Sequence, residues 1–243
     1  LVEEKRMNKF NEIFLDLEQK ILEKEYPPHT LLPSENQLIK IYGVSRETIR
    51  KALNLLTTEG YIQKKQGKGS IVLERNRFDF PIAGLTSYKE LQEAQHIPSE
   101  TIVQTLEETT VDQALSDVTG WVKGTPVWHL IRQRKINGEI VILDRDYLLK
   151  DVVPVLTKQI SEGSIYEYFE DELQLTIAYA QKEITVEPVT AAIEEAMDLN
   201  GDQYVVVVRG LVHLEDTSCF EYTESIHRLD KFRFVEFARR RKV

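Results

Sequence analysis

LLPSENQLIKIYGVSRETIRKALNLLTTEGYIQKKQGKGSIVL, residues 31–73, is the stretch that decides the fold. After Pro33, Ser34-Glu-Asn-Gln37 has the form of a capping box, in which the Ser and Gln side chains satisfy each other's free backbone groups at a helix start. Leu38, Ile41 and Tyr42 are the apolar members of that helix, and Gly43 ends it. Ser45 is a good N-cap for the next helix, which carries Ile49, Ala52, Leu53 and Leu56 on one face and is closed by Gly60. Tyr61 to Lys65 and Ser70 to Leu73, joined by Gln66-Gly-Lys-Gly69, read as a β-hairpin. Upstream, Phe10, Ile13, Phe14, Leu17, Ile21 and Leu22 keep helical spacing over residues 8–25 until Pro27-Pro28.

Helix, helix, three-residue turn, helix, hairpin is the order of a winged helix-turn-helix. On the third helix Glu47, Arg50, Lys51 and Asn54 lie opposite the apolar face, and Arg46 occupies the first turn. Lys64, Lys65 and Lys68 sit at the hairpin tip beside two glycines. The basic residues thus gather at the two places where such a fold touches DNA. Arg46 is placed to read a base edge, and Arg50 or Lys51 to grip phosphate.

The whole-chain charge points the other way. The net charge is −9, but residues 1–73 carry 12 Lys+Arg against 10 Asp+Glu, so the acidity belongs to the rest. Polyanion binding depends on the local field, not the total. The 243 residues are enough for two modest domains. No apolar run is long enough to cross a bilayer, the first ten residues have no apolar signal core, and the lone Cys219 excludes an internal disulfide. The expectation is a cytoplasmic protein with no membrane partner.

Residues 74–80 read as a linker between a DNA-binding domain at 1–73 and a second domain at 81–243. In that second domain the pattern predicts helices at 86–94, 111–118, 164–169 and 188–199. It predicts a short strand at 102–106, a strand at 177–186 and strand pairs at 127–136/140–148 and 204–214/219–228. This is an α+β domain on a mostly antiparallel sheet. Tyr204 to Val208 is apolar on both faces, which predicts a central strand.

Arg132 and Arg134 share a strand face, a placement suited to bidentate grip of a phosphate or carboxylate. Glu221, Thr223, Ser225 and His227 also share one face, either solvated or lining a polar pocket. Together they favour a phosphorylated, hydroxyl-rich ligand. Asn137-Gly138 leaves the register open. A two-residue turn pairs position 132 with 143 and puts Asp144 on the face away from Arg132, whereas a three-residue loop ending in a bulge pairs 132 with 144 and puts them together. Enzyme signatures are weak: five scattered histidines give no metal spacing, and there is no nucleophile elbow. No cofactor and no metal are expected.

Through PSE at 33–35, SR-x-T-x-R-x-AL at 45–53 and the G-x-GS wing at 67–70, the first domain resembles the winged helix of GntR-family bacterial transcription regulators. The second resembles the ligand-sensing (UTRA) domain of the HutC subfamily, which has a chorismate-lyase-like fold. The matching stretches are GLTSY at 84–88, RQRKINGEIVILDRDYL at 132–148, SIYEY at 164–168 and EYTESIHRLDKFRF at 221–234. The resemblance implies a homodimer that binds palindromic operator DNA and releases it on binding a sugar phosphate. For the branch that ILDRDYL at 142–148, SIYEY at 164–168, AYAQKEITVEP at 178–188 and HRLDKFRFVEFARR at 227–240 resemble more closely still, that effector is trehalose 6-phosphate. DNA contacts would fall on Ser34, Glu35, Ser45, Arg46, Thr48, Arg50 and Lys51, and on Lys64, Lys65, Gln66, Gly67, Lys68 and Gly69 of the wing. Phosphate contacts would fall on Thr86, Ser87, Arg132, Arg134, Ser164 and Tyr166, sugar contacts on Asp144, Glu221 and His227, and Tyr88 would be a further effector-binding residue. Asp144 and His227 stand where a related amino-sugar phosphate sensor has Glu and Tyr, which implies a differently shaped sugar end. Arg75, Arg77, Phe78 and Phe80 would be the segment that reorders between states. The rival is an enzyme built on the lyase-like domain, with the winged helix as a protein-contact module. Basic residues on the recognition face rather than around a catalytic pocket favour the regulator.

Overall fold

The computed structural model describes residues 8–74, 88, 89, 92 and 98–234. These residues form two compact units, one on either side of the 75–87 stretch.

The first unit contains α1 (Lys9–Leu22), α2 (Glu35–Tyr42), α3 (Arg46–Thr58) and the hairpin β1 (Ile62–Lys65) and β2 (Gly69–Val72). The capping box forms as the spacing predicts: Gln37 N–H donates to Ser34 Oγ, and Gln37 Oε1 accepts from Ser34 N–H at 2.8 Å. Gly43 closes α2 with φ 63°, a left-handed conformation that costs glycine nothing. Ser45 Oγ caps α3 by accepting from Thr48 N–H. Ile13, Leu17, Leu38, Ile49, Leu53, Leu56, Ile62 and Val72 meet in one core, so all three helices and the hairpin are held by the same apolar cluster.

The second unit is built on a six-stranded sheet, antiparallel at every pairing, in the order β3 (Ser99–Thr110), β4 (Pro126–Ile136), β5 (Glu139–Leu149), β8 (Cys219–Arg228), β7 (Tyr204–Leu214), β6 (Ile177–Pro188). The inner pair is therefore β5–β8. One face packs under α4 (Gln113–Thr119) and α7 (Ala191–Ala196), through clusters around Trp121, Val127 and Tyr222 and around Leu143, Val205 and Ile226. The opposite face packs at one end under α5 (Lys158–Glu162) and α6 (Ile165–Glu167), where Leu130, Leu148 and Val212 meet Ile165 and Phe169. Antiparallel strands with one elongated core on each face make an α+β fold.

Several elements differ from the sequence reading. The strand expected at 102–106 is the twelve-residue β3. Thr105, Glu107, Glu108 and Thr110 hide it from hydrophobic patterning, because an edge strand needs only one apolar flank. The helix expected at 188–199 spans only Ala191–Ala196, since Thr190 caps it and Met197 returns to extended backbone. The helix at 164–169 is three α residues followed by a π turn over Tyr168–Glu172. The five-residue α5 was not foreseen, being too short to show a period. Tyr204 to Val208 lies in β7, second from the edge and not central; Val205 and Val207 are buried under α7 and Val206 on the other face.

Candidate functional site

The first unit presents one polar face. Arg46, Arg50 and Lys51 are exposed along α3, as are Lys65, Gln66, Gly67, Lys68 and Gly69 at the wing, with Ser34 and Ser45 at the two helix starts. Glu35, Thr48 and Lys64 are half-buried. Gly67 and Gly69 have φ 74° and 104°, so the wing tip turns in a way side-chain-bearing residues resist. Three of the cations have side-chain partners. Arg46 donates to Asn36 Oδ1 at 2.8 Å, Arg50 Nε to Glu35 at 3.2 Å, and Lys64 Nζ to Asn54 Oδ1 at 2.7 Å. Burial pulls the Lys64 pKa down. Lys51 leans back over the Phe10 ring, 5.9 Å from its centroid. Sequence reasoning missed Asn36. Its signal was its place in the first turn of α2, one residue past the Glu35 that faces Arg50.

The second unit holds a buried ionic cluster on the inner strands. Asn137 and Gly138 both have positive φ, at 53° and 91°, and make a two-residue turn pairing Ile136 with Glu139. Past Lys135–Ile140 the register slips by one, leaving Val141 as an extra residue and pairing Arg132 with Asp144. The loop therefore has two residues and not three, and the bulge lies in the strand beyond it, where it brings arginines and aspartates to one face.

On that face Arg132, Arg134, Asp144, Asp146, Glu221 and His227 are all buried. Arg132 donates to Asp146 Oδ2 at 2.6 Å. Arg134 Nε donates to Asp144 Oδ2 at 2.8 Å and its Nη1 to Thr101 Oγ1 at 2.7 Å, while its guanidinium lies 4.4 Å from the centre of the Tyr88 ring. Ser225 Oγ donates to Asp144 Oδ1 at 2.5 Å, and Tyr166 Oη to Glu221 Oε2 at 3.1 Å. The row of polar residues on β8 is therefore part of an interior cluster and not a solvated face. Among the described residues Arg132 Nε is buried without a hydrogen-bond partner, a donor available to an incoming anion.

The electrostatics follow from burial. Desolvation opposes the Asp144 carboxylate, but Arg134 and Arg132 outweigh it and hold its pKa below the ordinary value. Among the described residues Glu221 has no such partner at hydrogen-bond range, and burial beside Asp146 pushes it up to about 8. Burial pulls His227 down to about 4. Burial thus favours the neutral forms of Glu221 and His227, while the neighbouring guanidiniums favour the charged form of Asp144.

Ser164 caps α6 by accepting from Glu167 N–H, and the next residue but one, Tyr166, brings this segment to Glu221. Thr86 and Ser87 lie outside the described residues, as do Arg75, Arg77, Phe78 and Phe80. Asp146 was missed, although the alternation Asp144-Arg145-Asp146 already put both acids on one strand face. Among the described residues no His, Cys, Asp or Glu cluster could hold a metal, and no helix is long and apolar enough to cross a membrane.

Residues 9–72 match the family model "Bacterial regulatory proteins, gntR family", and residues 94–233 match the UTRA domain. The chain belongs to the GntR family of bacterial transcription regulators. It is a UTRA-domain GntR regulator, not an enzyme. It is similar to the HTH-type transcriptional regulator TreR of Bacillus subtilis, with 50% identity over 98% of this chain and 100% of that one. It is also similar to the solved effector binding domain of the B. subtilis trehalose repressor, with 52% identity and TM-score 0.55 over 59% of this chain and 99% of that one. The crystal structure of YydK from B. subtilis shares the fold, with TM-score 0.80 and 23% identity over 96% of this chain and 100% of that one. As a GntR regulator the protein pairs an operator-binding winged helix with an effector-binding domain.

Proposed function

We propose that this GntR regulator represses a trehalose uptake and utilisation operon and is released from its operator by trehalose 6-phosphate. The observation that carries the effector class is the buried pair Arg132 and Arg134 sharing a face with Asp144, Asp146 and Glu221. Two guanidiniums suit a phosphoryl group, and carboxylates beside them suit sugar hydroxyls. Arg132, Arg134, Ser164 and Tyr166, with Thr86 and Ser87, form the phosphate end; Asp144, Glu221 and His227 form the sugar end; Tyr88, whose ring lies against Arg134, belongs to the same effector site. The choice of trehalose is supported by the TreR relatives.

On the DNA side, Arg46 reads a base edge, while Arg50, Lys51 and the wing residues Lys64, Lys65 and Lys68 neutralise phosphates. Residues 1–73 act as the DNA-binding domain, 74–80 as the linker and 81–243 as the effector and dimerisation domain. One winged helix covers too short a half-site for specific binding in a genome. The working form is therefore a homodimer on a palindrome, in the cytoplasm.

A thermal-shift screen of sugar phosphates tests the reading, because a ligand of the native state raises the melting temperature by mass action. Trehalose 6-phosphate should raise it and dissociate the operator complex, and trehalose should do neither. Equal responses to trehalose and trehalose 6-phosphate would overturn the phosphate assignment. A response to a different sugar phosphate alone would overturn the choice of trehalose.

A further inference from the structure

Arg132 and Arg134 share a face but use their guanidiniums differently. Arg134 is tied in on two sides: its Nε donates to Asp144 Oδ2 at 2.8 Å and its Nη1 to Thr101 Oγ1 at 2.7 Å. The other oxygen of Asp144 accepts from Ser225 Oγ at 2.5 Å, so that aspartate is engaged at both ends. Arg132 instead meets a single oxygen, Asp146 Oδ2, from its Nη2 at 2.6 Å.

The Nε–H and one Nη2–H of a guanidinium point the same way along one edge, the edge that two oxygens of a carboxylate or phosphate take together. Arg228 shows that edge filled: its Nε and Nη2 donate to the two oxygens of Asp230 at 2.6 and 3.2 Å. On Arg132 the same edge is half filled. Asp146 sits on Nη2, and among the described residues Nε has no acceptor although the side chain is only 6% exposed. A buried N–H left without an acceptor costs free energy. An anion that satisfied it with two oxygens would need Nη2 as well, which Asp146 holds.

We propose that Asp146 is a placeholder for the effector's phosphate: the phosphate takes the Nε and Nη2 edge of Arg132, and the displaced carboxylate turns to the hydroxyls of the sugar that the phosphate carries. This rests on the sugar-phosphate reading above and adds what lets the site refuse free phosphate. Asp146 is buried, opposite Thr223 and on the same sheet face as Glu221. Released there without a donor, it is a stranded buried charge. A sugar phosphate brings hydroxyl donors to it. Inorganic phosphate fills the arginine edge but brings no sugar to the carboxylate. Asp146 thereby makes the exchange conditional on the sugar, and the site discriminates a sugar phosphate from the inorganic ion.

The test is titration calorimetry of the full-length protein with trehalose 6-phosphate and with inorganic phosphate, read as the ratio of the two affinities. Asp146→Asn keeps the shape and removes the charge. Its affinity for inorganic phosphate should rise about tenfold while trehalose 6-phosphate gains less, so that the ratio falls. An unchanged or larger ratio, even with both affinities raised, overturns the placeholder role and leaves the sugar-phosphate reading standing. A crystal structure of the unsubstituted protein with trehalose 6-phosphate decides the same point without a variant. Arg132 Nε and Nη2 should both donate to the phosphate, with Asp146 turned off Nη2; an intact Arg132–Asp146 pair in that complex overturns the proposal. Failure of the unsubstituted protein to bind trehalose 6-phosphate overturns both.

Discussion

Arg132 and Asp146 form a buried ion pair although they are not opposite each other in the ladder: Arg132 faces Asp144, and Leu130 faces Asp146. Arg134 and Asp144 make the same diagonal step, since Arg134 faces Ile142. Both diagonals exist only because Val141 is bulged. Without that extra residue Arg132 would face Leu143, and the aspartates would point to the other side of the sheet.

Removing one member of the Arg132–Asp146 pair strands a buried charge. Asp146→Asn should cost about 3 kcal/mol of stability, read as a lower denaturant midpoint. Inorganic phosphate should then raise the melting temperature of the variant more than that of the unsubstituted protein, because Arg132 lacks its anion. Equal phosphate responses would mean that Arg132 is not an anion-binding group.

Glu221 sets the pH dependence above neutrality. Its folded pKa, about 8, lies above its ordinary 4.5, so between those values the folded state holds a proton that the unfolded state has lost. Stability from this group therefore falls as pH rises, by at most about 1.4 kcal/mol per unit, and levels off above 8. His227, lowered from 6.5 to about 4, has the opposite slope between those two values. The two oppose each other between pH 4.5 and 6.5, and of the two only Glu221 acts above that range. Urea denaturation at pH 6.5 and pH 8 should show a loss of stability that Glu221→Gln abolishes. The same decline in the variant would assign it to another group.

On the DNA side, Arg46→Ala should cost ~1–3 kcal/mol and relax preference at one operator position. Asn36→Ala, which releases the Arg46 guanidinium, should blunt the same position to a smaller degree. Lys65→Ala should weaken binding to every duplex and shallow the salt slope by about one ion. Gel-shift titrations against single-base operator variants separate these effects, and an unchanged base preference in Arg46→Ala would remove its reading role.

The two ligands must oppose each other by equal amounts. If effector weakens operator affinity by some factor, typically ~5–150, operator weakens effector affinity by the same factor. Calorimetry of trehalose 6-phosphate into the free protein and into the protein–operator complex measures both. Identical affinities in the two titrations would mean that the sites are uncoupled.

The winged helix was legible from residues 31–73 because its signals are local. Ser34, Gln37, Gly43 and Ser45 act within one helical turn of themselves, and the cations of α3 follow from helical period alone. Arg132, Arg134 and the polar row on β8 were equally legible as strand faces, since alternation assigns faces within one strand. What alternation cannot do is join faces across strands. That Asp144 meets Arg134 and that Asp146 meets Arg132 were decided only by the bulge at Val141 and the strand order of the sheet. A one-residue slip exchanges the two faces of a strand at the cost of a single extra residue, and pairing between strands distant in sequence depends on how both faces of the sheet are packed.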